Sequence, residues 1–258
     1  MLAAQRRQRI LEEVRRVGGV RVSELTSMLG VADMTVRRDL ERLGQEGLIQ
    51  KVHGGATVPR FSSEEPGFEV KSLRELAEKH AIAECAASLV QPGQSVALGA
   101  GTTTWLLAQH LASAPRLTVT TNSVRIADAL GGAHDVVLTG GVRTPSDALV
   151  GPVADLVLRS LHFDVAFLGC HGISVEGLST PNMGEAATNR AFVRAASRMV
   201  LVADSTKWGT VGLMSFADLS DVDVLVTDSG LPADARRLLE HRLEQVHVVA
   251  PAAEQLAT

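Results

Sequence analysis

Between Ser95 and Ala250 the chain carries seven short apolar runs separated by helix-like stretches, and this alternation restricts it to few architectures. The runs are SVALGA (95–100), LTVTTN (117–122), DVVLTG (135–140), VAFLG (165–169), MVLVAD (199–204), DVLVTD (223–228) and VHVVA (246–250). Helical segments such as TTWLLAQHLA, PVADLVLRSLH, EAATNRAFVRAAS and PADARRLLEHRL fill the gaps. Strands this continuous in Val and Leu have no face to give to water. They predict a Rossmann-like parallel sheet covered by helices on both sides. No internal repeat at a fixed period is present.

The turns after these strands share a character: GAGTTT, TTNS, TGG, GCHG, ADSTK and TDSG are small, polar or glycine-rich. In an open parallel sheet the carboxyl ends lie on one edge, and ligands bind in the crevice there. Gly101, Thr102, Thr103, Thr104, Asn122, Gly140, Gly141, Asp204 and Lys207 are therefore expected to converge. Thr102–Thr104 at a helix start would present backbone N–H groups and a favourable dipole to an anion. Taken alone, such threonines serve equally well as helix N-caps, and Lys207 as a surface lysine. Six such loops on one edge make an anion site the stronger reading. GAGTTT lacks the glycine spacing and Gly-Lys-Ser/Thr ending of a nucleotide-hydrolase phosphate loop.

The first 58 residues read differently. Ile10, Leu11, Val14 and Val17 mark one face of a helix stopped by Gly18-Gly19; Ser23 is placed to cap a short helix ended by Gly30; a third helix runs from about Asp33 to Gln45. This is a helix-turn-helix. At about 100° per residue, Val36, Leu40 and Leu43 face inward, and Met34, Thr35, Arg37, Arg38, Glu41 and Arg42 face outward. Arginines beside a short hydroxyl suit phosphates and guanine edges, although an ordinary solvated face has a similar composition. Asp39, toward the flank, is read as structural. LIQKVHGG alternates and then turns, predicting a β-hairpin wing that brings Lys51 and His53 to the duplex.

Charge supports this division. Residues 1–60 hold eleven Lys and Arg against seven Asp and Glu, while the net charge of the whole chain is −4, so a basic head precedes an acidic body. Residues 59–72, with two prolines and paired glutamates nearby, read as a linker, and 73–258 as the α/β domain, which opens with a charged helix at about 73–90. No apolar run reaches the roughly 18–20 residues of a membrane span, and no secretory signal is read at the N-terminus. Cys85 and Cys170 in apolar settings suit a reducing cytoplasm. Cys170 and His171 are adjacent with no second pair at ligand spacing, so no metal is expected.

The segment RRQRILEEV…VRVSELTSMLGVADMTVRRDLERLGQEGLIQKVHGGA resembles the DNA-binding domain of the DeoR family of bacterial transcriptional regulators. The body resembles that family's effector domain: Lys79, AIAECAA, GTTT, TTNS, TGG, Gly151, FLG, Gly177-Leu178, Glu185, ADSTKWG and TD stand in family order. The resemblance implies a body similar in fold to ribose-5-phosphate isomerases, which binds a phosphorylated sugar and controls sugar-catabolic genes, mostly by repression. It implies that Gly101–Thr104 and Lys207 hold the phosphate, and that Asn122, Glu185 and Asp204 hold the polyol. The chain departs from the family at three places. Ala32 stands where serine is usual, Gly99 where an acid is common, and His171-Gly172 where Asp-Gly is common. Different hydroxyl contacts, and an imidazole in the cleft, are expected.

Isomerisation needs a positioned carboxylate base facing an acid. Glu185 and Asp204 are the obvious candidates, and GCHGIS lacks the acidic pair of an isomerase-like Asp-Gly-x-Asp turn. The expectation is a regulator without catalysis or cofactor that acts on double-stranded operator DNA. It is expected to be an oligomer, at least a dimer, because symmetric half-sites multiply specificity. A sugar-phosphate isomerase or transferase fused to a DNA-binding domain is the alternative, and a constitutive DNA binder with a degenerate body a third.

Overall fold

The computed structural model describes residues 2–17, 19–45, 48–52, 54–57, 61–62 and 67–251. Helices α1 (Ala3–Val17), α2 (Val22–Leu29) and α3 (Asp33–Gln45) pack around Ile10, Val14, Leu25, Val36, Leu40 and Leu43. Strands β1 (Gly19–Arg21), β2 (Gln50–Val52) and β3 (Gly55–Thr57) form an antiparallel sheet in the order β1-β3-β2, so the hairpin gains a third strand. A Cβ at Gly55 would run into the Val20 carbonyl, which is why this strand crossing needs glycine.

Two caps differ from expectation. α2 starts at Val22, and Glu24 accepts from the Arg21 backbone N–H at 2.8 Å, so Ser23 lies inside the helix and does not cap it. At the start of α3 the Asp33 carboxylate accepts from Arg37, and the first turn closes on the Ala32 carbonyl.

The segment expected to be a linker is partly folded. Strand β4 (Phe61–Ser62) pairs in parallel with β14 (Val211–Gly212) of the body, and α4 (Phe68–Ser72) lies where no element was expected. Phe68 is buried, edge-on to Trp105 at 5.7 Å, with the Arg125 guanidinium 4.3 Å above its ring. The charged helix expected over 73–90 is shorter: α5 runs Leu76–Ala87, because Glu75 takes φ 48° and breaks it from α4.

All seven predicted strands lie in one parallel sheet. They are β5 (Ser95–Leu98), β6 (Thr118–Thr121), β7 (Asp135–Leu138), β10 (Val165–Leu168), β13 (Met199–Val202), β16 (Val224–Asp228) and β17 (Gln245–Val249), in the order β17-β16-β13-β10-β5-β6-β7. Alternate residues enter two cores. Val96, Leu98, Phe167 and Val200 pack on α5 and α6 (Thr102–Leu111), while Ala97, Leu168, Leu201 and Leu225 pack on α8 (Pro152–Arg159), α9 (Met183–Ala195) and α10 (Ala233–Arg242). A short helix, α7 (Val124–Ala129), follows β6.

The smaller strands were not anticipated. β8 (Val142–Arg143) pairs with β9 (Leu149–Val150), and β11 (Gly172–Ser174), β12 (Gly177–Thr180) and β15 (Met214–Ala217) make a three-stranded antiparallel layer. β5 and β10 are neighbours from separate βαβ runs, so the order of winding reverses between them. The crevice at that reversal is where an open α/β sheet binds ligands.

Candidate functional site

The turns that follow β5, β10 and β13 meet in a cavity of 360 Å³. Gly101, Thr102, Thr103 and Thr104 form its floor at the start of α6, whose first turn closes on the Gly101 carbonyl through Trp105 N–H at 3.0 Å. No side chain caps this helix. The backbone N–H groups of the first turn are thus left for an anion. From β13, Asp204 and Lys207 line the opposite wall; from β10 come Gly169, Cys170 and His171, and from α9 Glu185 and Asn189.

Helices α4 and α5 add a cationic wall that sequence reasoning missed as a site. Lys71, Arg74 and Lys79 line the cavity, and the buried Lys79 ammonium donates to the carbonyls of Lys71 and Arg74, each at 2.6 Å. Burial lowers the Lys79 pKa, Asp204 opposes that, and Lys207 and Lys71 reinforce it. The signal was the dense charge of KSLRELAEK, read as linker and solvated helix because nothing in it shows which face is covered.

Three carboxylates line the cavity: Glu75 is exposed at the head of α5, and the other two are engaged. Glu185 accepts from Thr144 Oγ1 at 2.7 Å, Thr180 Oγ1 at 3.4 Å and the Ser146 hydroxyl. Asp204, 2% exposed, accepts from the Thr206 backbone N–H at 3.2 Å and the Thr206 hydroxyl, with Lys207 Nζ 3.9 Å away. Asp228 fixes the same turn by accepting from Ser205 N–H at 2.6 Å.

Three expected members do not line the cavity. Asn122 is buried and fully used as scaffold: Oδ1 accepts from Ala100 N–H at 2.7 Å, and Nδ2 donates to the Leu149 carbonyl at 3.1 Å. Gly140 and Gly141 follow β7 at the sheet edge, where Gly141 (φ 121°) lies against the Val150 backbone and shapes the β8–β9 hairpin. Gly99 is also absent from the lining, since a Cβ there would overlap Leu168 in the core. The departure at Gly99 therefore reflects packing between β5 and β10.

His171 does reach the cavity, and its Nε2 is buried without a hydrogen-bond partner. Burial brings its pKa down to about 4; Lys207 and Lys71 act in the same direction and Glu185 against. Cys170 beside it is pushed up to about 12, chiefly by burial.

The candidate DNA surface lies on α3 and the wing. Met34, Arg37, Arg38, Arg42 and Lys51 are exposed and Thr35 is half-buried. Arg37 pairs with Asp33 one turn back, and Lys51 with Glu41 at 3.2 Å. Asp39 is buried against α1, where Arg6 Nη2 donates to it at 3.2 Å. His53 lies outside the described residues. Arg42 faces the body, 3.5 Å from Asp234 of α10. Nearby, the Trp208 indole N–H donates to the carbonyl of Gln45, the last residue of α3.

A three-helix winged domain followed by a doubly wound α/β domain with an anion-ready cleft defines a DNA-binding regulator with an attached sensor. The sequence profile of the DeoR-like helix-turn-helix domain matches residues 6–61, and that of the DeoR C terminal sensor domain matches residues 74–229. The chain belongs to the DeoR family of transcriptional regulators.

Its relatives include an uncharacterized HTH-type transcriptional regulator, YgbI, of Escherichia coli K12, 43% identical over 93% of this chain and 95% of that one. The putative aga operon transcriptional repressor of Escherichia coli O157:H7 is 36% identical over 90% and 88%. The regulator GlpR of Haloferax volcanii is 39% identical over 93% and 95%. Among solved structures, ribose 5-phosphate isomerase A of Methanocaldococcus jannaschii matches 50% of this chain and 53% of its own at 19% identity, TM-score 0.38. No helix among the described residues is long and apolar enough to cross a membrane.

Proposed function

We propose that the chain represses carbohydrate-catabolic genes by binding operator DNA through α3 and the wing, and that a phosphorylated sugar in the cleft relieves the repression. Relatives named as a putative aga operon repressor and a lactose phosphotransferase system repressor support the class of target. In this reading Met34, Thr35, Arg37, Arg38, Lys51 and His53 meet DNA, while Arg42, expected on the same surface, is turned toward Asp234 of the body. Gly101–Thr104 and Lys207 hold phosphate, and Glu185 and Asp204 order the walls around the ligand.

One observation carries the reading: the Asp204–Thr210 turn belongs to both halves. Asp204, Thr206 and Lys207 line the ligand cavity. The next residue, Trp208, packs on the body's core and donates to the end of the recognition helix, while Thr206, Trp208, Gly209 and Thr210 share a second cavity with Glu41, Gly44, Gln45 and Lys51. A ligand that draws Lys207 moves Trp208, and with it α3. Linkage then makes ligand and operator oppose each other by the difference in ligand affinity between the two arrangements.

The oxygens of Glu185 and Asp204 are already held by protein donors, which favours sensing over turnover, since a general base must be placed to reach a substrate proton. The protein acts in the cell interior, where its DNA is, as a homo-oligomer of two or more chains that places two α3 helices on symmetric half-sites. Labelled DNA from upstream of the gene is titrated with protein, with and without a panel of sugar phosphates. At least one is expected to weaken binding by about tenfold; no shift with any of them overturns sensing. Turnover of a panel member, lost in Glu185→Gln, would support an enzyme.

A further inference from the structure

The orphaned Nε2 of His171 bears on which phosphorylated compound the cleft selects. A buried polar atom without a partner is costly, and a bound ligand is a ready means of satisfying it. This side chain stands where the family pattern described above commonly has an aspartate. An aspartate there accepts from ligand hydroxyls and repels a ligand carboxylate. A neutral imidazole has an N–H to donate, and Lys71 and Lys207 line the same cavity.

Of the three acids that line the cavity, Glu75 is exposed at the head of α5, beside the three basic residues Lys71, Arg74 and Lys79, and the other two are engaged. Glu185 is bound by three hydroxyls, and Asp204 is buried and bonded within its own turn. The floor at Gly101–Thr104 provides for one anion, and the turn after β10 lies beside it because β5 and β10 are adjacent strands. Two anion-favouring regions a strand apart in 360 Å³ suit a short molecule charged at both ends.

We infer that the effector is a phosphorylated sugar acid, with phosphate on the α6 N-terminus and carboxylate between His171 and Lys71. This rests on reading the cavity as the effector site and adds the ligand's second charge.

The test is calorimetric titration of the full chain with pairs that differ only at C1. These are erythrose 4-phosphate against 4-phosphoerythronate, ribose 5-phosphate against 5-phosphoribonate, and glucose 6-phosphate against 6-phosphogluconate. In at least one pair the acid is expected to bind at least about tenfold more tightly. His171→Asp should erase that preference, read as the ratio of the two affinities within each pair. Lys71→Gln, on the outer part of α4, should reduce the preference without touching the core and serves if the aspartate variant is unstable. Aldose phosphates that bind as well as their acids in every pair overturn the inference and leave the sensor reading standing. If no phosphorylated compound binds, both fall.

Discussion

His171 is held neutral, and that has a consequence for stability. In the unfolded chain the imidazole takes its proton near 6.5, whereas the folded protein resists it down to about 4. Between these values the unfolded state binds more protons, so stability is flat above about 6.5 and falls as pH drops toward 4. His171→Asn should make the acid limb shallower by on the order of 2 kcal/mol, read from urea unfolding at neutral pH and near the lower value. An unchanged slope would show that other groups dominate it.

Cys170, pushed up to about 12, is almost wholly thiol at neutral pH. Alkylation in the folded protein should be at least about a hundredfold slower than in urea, followed by mass spectrometry of the peptide. On the DNA side, Arg38→Ala should cost about 1–3 kcal/mol of operator affinity with an unchanged melting temperature. Retained affinity would remove Arg38 from the interface.

Among the elements, the wing and α4 carry separable tasks. Gly55→Ala forces a Cβ toward the Val20 carbonyl and should destabilise the winged domain by about 1–3 kcal/mol. Operator binding should suffer and sugar-phosphate binding should not; equal loss of both would mean that the two domains unfold together. Phe68→Ala removes the ring between Trp105 and Arg125 and should cost about 3 kcal/mol. Because α4 carries Lys71, ligand affinity should fall with it.

These elements also show how far pattern reaches. The seven strands are continuous apolar runs and α3 is periodic over its length, so burial on two faces or on one is written into their residue types. β4, β8, β11, β12 and β14 are two to four residues long, too short for any period. α4 was hidden for another reason: FEVKS follows a proline and glycine and has one apolar anchor, Phe68, whose partners lie far along the chain.

At the scale of the whole molecule, the Asp204–Thr210 turn and the Arg42–Asp234 pair join the cleft to α3. Trp208→Phe keeps the ring in the core and deletes the donor to Gln45. It should retain operator and ligand affinity, each within about threefold. The effect of ligand on operator affinity should shrink from the 1–3 kcal/mol usual for such coupling toward zero, measured by DNA titration at saturating ligand. Asp234→Asn should act in the same direction, more weakly, because that pair is partly exposed. Full coupling in the double variant would place the route elsewhere.

The sequence by itself determined the two-part organisation, the parallel sheet, the helix-turn-helix and the small, polar turn at Gly101–Thr104. Each is a local pattern of apolar spacing, small turn residues or charge, legible without knowing what lies opposite. Only the tertiary structure decided which strand ends share the cleft. Strand order draws in β5, β10 and β13, leaves Gly140 and Gly141 at the edge, and turns Asn122 into scaffold. It alone brought Lys71, Arg74 and Lys79 to the cavity and placed Trp208 against α3. Residues far apart in sequence meet through the packing of the sheet and its helices, and no local spacing records that packing.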